Sequence, residues 1–278
     1  MSSRFEFLGN ASIGQYIPSG SWLHQRDPRA RLITYVVVFI GVIFSFGLQG
    51  LTLGLVSVVS VFLVAHLPVK PAWDSIKRAL PFLLILAILQ ILFFARNQDD
   101  PVIFTVFGYD VIQPALMSGL MLVYRFIVLI MLLNAVVMSL STSQITAAQF
   151  YLFKPLEKIG FPVNDITMIV QVTLRFLPIV AQIAEKTAKA QAARGADWDQ
   201  RGFNPVRQAR RIIPVIVPLM VNSLKRAEVM ALAMESRGFS AADERSSYHQ
   251  LDFTWRDSLL LMTAVIVSTL MILAGLWL

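Results

Sequence analysis

Residues 112–140 read IQPALMSGLMLVYRFIVLIMLLNAVVMSL, and this stretch decides the fold class. From Ile112 to Leu140 it carries a single charged side chain, Arg125. It exceeds the roughly 20 residues that an α-helix needs to cross a bilayer. Outward from it lie four more apolar runs: Leu32 to Phe46, Leu51 to Ala65, Leu80 to Ala95 and Leu259 to Leu278. The last is long enough to span. The first two are short, but they share a tight polar turn at Gly47, Gln49 and Gly50. Counting turn residues into the helix ends restores their length and gives an antiparallel hairpin across the membrane. Pro81 stands near the start of the third run, a position that helices tolerate. The expectation is an all-α, polytopic membrane protein with about five transmembrane helices and further long helices along the inner face, the alternative being that Ile166 to Ile183 and the region of Ile212 to Leu219 are two more spans.

Composition agrees. Hydrophobic residues make up 56% of the 278 and charged residues 15%, against roughly 25% charged in a typical globular chain. No cysteine occurs, which excludes disulfides and thiolate metal sites. The three histidines, His24, His66 and His249, have no ligand spacing and read as interfacial or solvated side chains. The N-terminus does not read as a signal peptide. Some thirty mixed residues precede the first apolar run, with no small-residue cleavage site after it.

Charge sets the orientation. Arg26, Arg29 and Arg31 precede the first run, and Lys70, Lys77 and Arg78 follow the second. Asp99, Asp100 and Asp110 follow the third, against Arg96 alone. By the positive-inside rule the N-terminus is cytoplasmic and the third connection external. The region from Ser141 to Asp257 is then cytoplasmic, with 15 Lys and Arg against 11 Asp and Glu. Three segments follow: residues 1–140 with four spans, 141–257 in the cytoplasm, and 258–278 as the last span. The net charge of +7 is spread over cytoplasmic faces, where anionic lipid and the positive-inside bias account for it. No basic and aromatic surface of the single-strand type is present, so nucleic acid is not expected as a partner.

Within the insert, Ser141-Thr142-Ser143 can cap a helix from about Gln144 to Ile159, which Gly160-Phe161-Pro162 stops. Asn164 or Asp165 caps a second helix that continues to Arg194. A third runs from about Pro205 to Arg237. Pro178 lies inside the second, and Pro214 and Pro218 inside the third, where they are expected to bend or break it. Each segment repeats one plan: an apolar first half, proline, an Ala- or Met-rich second half, and an Arg-Gly terminus. Gly195 and Gly238 read as helix stops, because glycine at C′ adopts the left-handed conformation without a Cβ penalty. Arg194 and Arg237 then fall in the last turn, where the helix dipole favours a cation. The Met220 to Met234 face is adaptable packing material that suits a groove or a partner.

Motifs of chemistry are absent. The sequence has no G-x-x-x-x-G-K-[ST], no H-E-x-x-H and no G-x-S-x-G. Arg125 is the notable ionisable group in the spans. It is read as snorkelling or pairing inside the bundle, against the alternative of a self-contained carrier or membrane enzyme with a site beside it.

The stretch Gly14 to Ser21, with His24 and Asp27-Pro28-Arg29, resembles the opening pattern of the transmembrane T component of energy-coupling factor transporters. Arg31 stands where that family usually has lysine. Leu174-Arg175-Phe176-Leu177-Pro178, Lys189 to Gly195, Arg226-Ala227 and Ala233 to Phe239 are similar too. The family's paired X-Arg-Gly motifs fall on Ala193-Arg194-Gly195 and Ser236-Arg237-Gly238, the second with Ser where Ala is common. The resemblance implies a non-catalytic scaffold without cofactor or metal, in a bacterial cell membrane. It implies two cytosolic ATPases, of A and A′ type, docked on those six residues of the coupling helices. It implies a membrane-embedded S component that binds the vitamin or other micronutrient.

Overall fold

The computed structural model describes residues 17, 19–94, 102–106, 109–194, 205–239 and 253–275. Helices α1 (Pro28–Phe44), α2 (Gly47–Val64), α3 (Val69–Leu92) and α4 (Gln113–Ser139) come first, with strands β1 (Val102–Val106) and β2 (Tyr109–Ile112) between the last two. Helix α5 (Thr142–Phe153), a 3-10 segment (Lys154–Ile159), α6 (Val163–Ala193), α7 (Pro205–Ser236) and α8 (Trp255–Ala274) complete the order. The chain divides into two compact units. One holds α1–α5 and α8, and the other holds the 3-10 segment, α6 and α7.

In the first unit, α1 packs mainly on α8, α2 on α8 and α4, and α3 on α4. Val42, Leu51, Val58, Val128 and Met271 are fully buried between them. In lipid, close packing rather than the hydrophobic effect drives such association, and small residues let backbones approach. Gly41 lies against Ser268, Gly50 against Ser45 and the Met271 carbonyl, and Gly275 against the Phe46 backbone. The two strands form an antiparallel hairpin that pairs Val106 with Tyr109 and Val102 with Ile112. The charges of this connection mark it only as an external loop. The β-branched Val102, Ile103, Thr105 and Val106 are the signal for it.

Five described helices are long and apolar enough to cross a membrane: α2, α3, α4, α6 and α8. The expected number is met with one exchange, because α6 qualifies and α1, at 17 residues, falls just short. The turn residues do not extend α1. Ser45 is already extended and Gly47 has φ +82°, so the helix stops at Phe44. Helix α1 is nonetheless an integral member of the bundle through α8, α2 and α4.

Local departures have local causes. The helix expected from Gln144 to Ile159 ends as α-helix at Phe153 and tightens into 3-10 form at Lys154-Pro155, since Pro155 lacks the amide that the next α turn needs. Gly160, at φ +85°, then stops it as expected. Helix α6 is capped by neither Asn164 nor Asp165. It starts two residues earlier than a cap at Asn164 would place it, after Pro162, and Asp165 sits in its first turn, where the dipole favours an anion. Pro81 lies well inside α3, which begins at Val69 rather than Leu80. Helices α6 and α7 run unbroken through Pro178, Pro214 and Pro218.

The segment before α1 ties four helix ends together. Asp27 caps α1, accepting from the Arg29 amide at 2.8 Å. Asp257, 1% exposed, completes a capping box with Thr254 at the start of α8. Its other carboxylate oxygen accepts from the Asp27 amide at 3.3 Å, across 230 residues of chain. The Ile17 amide donates to the Met138 carbonyl at 3.0 Å, and Ser19 Oγ to the Ala65 carbonyl at 2.7 Å. Arg31, fully buried, donates to the Ser139 carbonyl at 2.9 Å. His24 is therefore not a solvated side chain: its Nδ1 meets Ser19 and Ser21 Oγ at 3.0 and 2.8 Å. His249 lies outside the described residues.

Burial, with the Arg31 charge second, holds the His24 pKa below 6.5, against an opposing hydrogen bond at Ile17. A base whose folded pKa is depressed stabilises the fold above its unfolded pKa and loses that contribution as pH falls through the window below 6.5. Acidification from neutral pH therefore lowers the melting temperature. His24→Gln, which keeps a side-chain amide facing Ser19 and Ser21, flattens that dependence. An unchanged pH slope in this variant would exclude His24 as its source.

Candidate coupling surface

Two helix ends in the second unit carry the sequence motifs. At the end of α7, the Gly238 amide donates to the Glu235 carbonyl at 2.9 Å and the Phe239 amide to the Met234 carbonyl at 3.1 Å. With Gly238 at φ +71°, this is the paired-bond Schellman ending, with Arg237 as C-cap and Gly238 as C′. The Met234 and Glu235 carbonyls are thus satisfied by the chain itself, and Arg237 is left exposed. Ser236 Oγ donates back to the Ala233 carbonyl at 3.0 Å. Its hydroxyl is spent on its own helix, and serine presents much the same outer surface as alanine would.

At the end of α6, the Arg194 amide donates to the carbonyls of Ala190 and Gln191 at 3.2 and 3.1 Å. Ala193 is the last helical residue and Arg194 the C-cap, both exposed. Gly195 lies outside the described residues. Each arginine stands one residue beyond its helix rather than in the last turn, a shift that leaves it beside the last carbonyls and the negative end of the dipole. Neither makes an ion pair among the described residues. Lys189, five residues before Arg194, is held by Glu185 at 2.6 Å, whereas Arg194 has no such partner among the described residues.

Helix α6 packs on α7, and a groove of about 480 Å³ opens between them. Met168, Phe176, Met230 and Met234 give it deformable apolar walls, with Arg226 its cation. The sequence already marked the Met220 to Met234 face. The contribution of Phe176 became visible only with the pairing of α6 and α7.

Arg125 does not open a second site. Its guanidinium donates to the Ser45 carbonyl at 2.6 Å, just past the end of α1. Ser45 is fully buried, where an unsatisfied carbonyl is costly, and this bond removes one. No cluster of three His, Asp or Glu suited to a metal occurs among the described residues.

A polytopic helical membrane protein with two exposed arginine helix ends is the class that fold and site define. Residues 19–248 match the CbiQ family, described as cobalt transport protein. The chain is 30% identical over 267 residues to the energy-coupling factor transporter transmembrane protein EcfT of Bacillus subtilis, covering 93% of this chain and 96% of that one. The EcfT of Brevibacillus brevis is 32% identical over 271 residues, 97% and 99% of the two chains. That of Leuconostoc gelidum is 31% identical over 246 residues, 88% and 90%. The chain belongs to this family of EcfT-like transmembrane components.

Proposed function

We propose that this chain is the non-catalytic coupling subunit of an ATP-driven energy-coupling factor importer for a vitamin or other micronutrient. Arg194 and Arg237 seat in grooves on two cytosolic ATPases. The apolar groove between α6 and α7 faces the membrane-embedded S component that binds the substrate. The membrane is the bacterial cell membrane, with the N-terminus on the cytoplasmic side. One observation carries the reading: the α7 end bonds its own Met234 and Glu235 carbonyls and leaves Arg237 exposed, without an ion pair among the described residues. Such a cation is suited to bidentate bonds with a partner carboxylate.

The glycine tests it. A β-branched residue at φ +71° is strained by about 1–2 kcal/mol or more, whereas asparagine tolerates that region. Gly238→Val therefore re-aims Arg237 and lowers recovery of co-expressed ATPases on an affinity-tagged chain, while Gly238→Asn retains it. Equal recovery with both variants would mean that the angle of this helix end is irrelevant to docking.

Sidedness is tested in a chain that has no cysteine of its own. Phe93, 83% exposed at the end of α3, and Glu235, beside the α7 end, are the positions to substitute. A membrane-impermeant thiol reagent outside intact cells labels Phe93→Cys and misses Glu235→Cys. The reverse pattern, or labelling of both, would invalidate the assigned orientation.

A further inference from the structure

A second cavity, of about 340 Å³, lies within the bundle between α1, α2 and α8. It is at the lower end of the roughly 300–1,000 Å³ typical of small-molecule sites. Tyr35, Val38, Val58 and Leu132, all buried, form its floor. Trp22, Ser60, Val64, Leu259 and Thr263 form an exposed rim, so the cavity is a groove open on the outer surface of the bundle. Its hydroxyls are mostly consumed locally. Ser57 donates to the Gly54 carbonyl, Ser60 to Ser57 and Thr263 to Leu260. Thr34 Oγ1 is the exception, buried without a partner among the described residues, and the rest of the wall is mainly hydrocarbon.

Polarity collects at one end. The groove runs from Val38 and Val267 toward Arg31, Trp22 and Leu259, at the N-terminal ends of α1 and α8. Beyond Leu259 and Leu260, the exposed Arg256 precedes them by three and four residues. It therefore stands on the helix face that lines the groove. Trp255 lies within reach of the Arg256 guanidinium, 5.9 Å from ring to charge, and Arg26 stacks over Trp22 at 4.7 Å. Tryptophan and arginine pairs of this kind mark the headgroup level of a bilayer. An alkyl slot in a membrane bundle, with cations at its headgroup end only, is complementary to a chain that carries an anion at one end.

We infer that this groove binds one acyl chain of an anionic phospholipid, whose phosphate lies against Arg256. The bound chain fills the gap between α2 and α8 and joins the bundle to the lipid leaflet at that end. The inference stands apart from ATPase docking, since none of its residues belongs to α6 or α7.

The test places the full chain in nanodiscs that contain either a phosphatidylglycerol or a phosphatidylcholine probe, each with a photoactivatable acyl chain. Adducts are mapped by mass spectrometry. Adducts are expected within 57–64 and 259–267, with the anionic probe ahead by roughly fivefold, as one cation at the membrane surface provides. Arg256→Gln removes most of that preference. Ser60→Trp and Thr263→Trp, at exposed rim positions, obstruct the slot and lower adducts in both peptides with either probe. Equal labelling by the two probes in the unaltered chain, or undiminished labelling in both tryptophan variants, would overturn the inference.

Discussion

The double variant Arg194→Ala, Arg237→Ala remains in the membrane at the level of the unaltered chain but fails to recover co-expressed ATPases and abolishes uptake. Both arginines are exposed C-caps without ion pairs among the described residues, so their removal breaks no ion pair there. The whole effect falls on the interface. Truncating one partner of a desolvated charge pair costs about 2–5 kcal/mol of binding, and arginine is prominent among interface hot spots. Each 1.4 kcal/mol is about tenfold in affinity, so even the single variants bind markedly less ATPase. Arg194→Lys or Arg237→Lys restores only part, because an ammonium lacks the planar fork of donors. Recovery of the ATPases and uptake at the unaltered level in the double variant would remove both arginines from the coupling path.

The second large effect concerns the bundle. Gly50→Val and Gly275→Val are each expected to destabilise the membrane unit by about 3 kcal/mol, the upper part of the usual range for overpacking. A Cβ at Gly50 meets the Met271 carbonyl and Ser45 Oγ, and one at Gly275 meets the backbone of Phe46. Backbone atoms cannot swing aside as a flexible side chain can. Gly54→Ala is the control: the nearest atom to its new Cβ is a Val42 methyl at 3.2 Å, which yields by a few tenths of an ångström. Thermal unfolding of the detergent-purified chain reads the difference. Melting temperatures for Gly50→Val and Gly275→Val no lower than that of Gly54→Ala would refute the close backbone approach of α2 and α8 to the α1–α2 turn.

Much of the fold was legible because its signals are local. A bilayer demands long apolar helices, and α2, α3, α4 and α8 follow their hydropathy runs to within a turn, apart from the early start of α3. Gly160 and Gly238 were read as stops, and both have positive φ. The arginine beside Gly238 is exposed for the same reason, since a helix that caps itself through its backbone leaves the C-cap side chain outward. Helix caps were less legible. Pro162 precedes α6 although Asn164 and Asp165 are better capping residues, because the chain turns at Gly160-Phe161-Pro162 before either is reached. Of the bend or break expected at the prolines, the break does not occur. In α6 and α7 the amide that each lacks and the carbonyl it displaces do not end the helix.

The sequence by itself determined the membrane class, the two long helices α6 and α7, the Arg-Gly stop of α7 and the family, because hydropathy, helix stops and motif order are properties of contiguous residues. Tertiary structure alone decided what Arg125, His24 and Asp257 do. Arg125 finds the Ser45 carbonyl 80 residues away, and Asp257 holds the Asp27 amide across 230. It alone revealed why Gly50 and Gly275 must be small, and that α1, α2 and α8 leave a groove between them. Each of these depends on which distant helices meet and at what depth. No local periodicity encodes that, because a side chain's partner is set by packing across the bundle rather than by its neighbours along the chain.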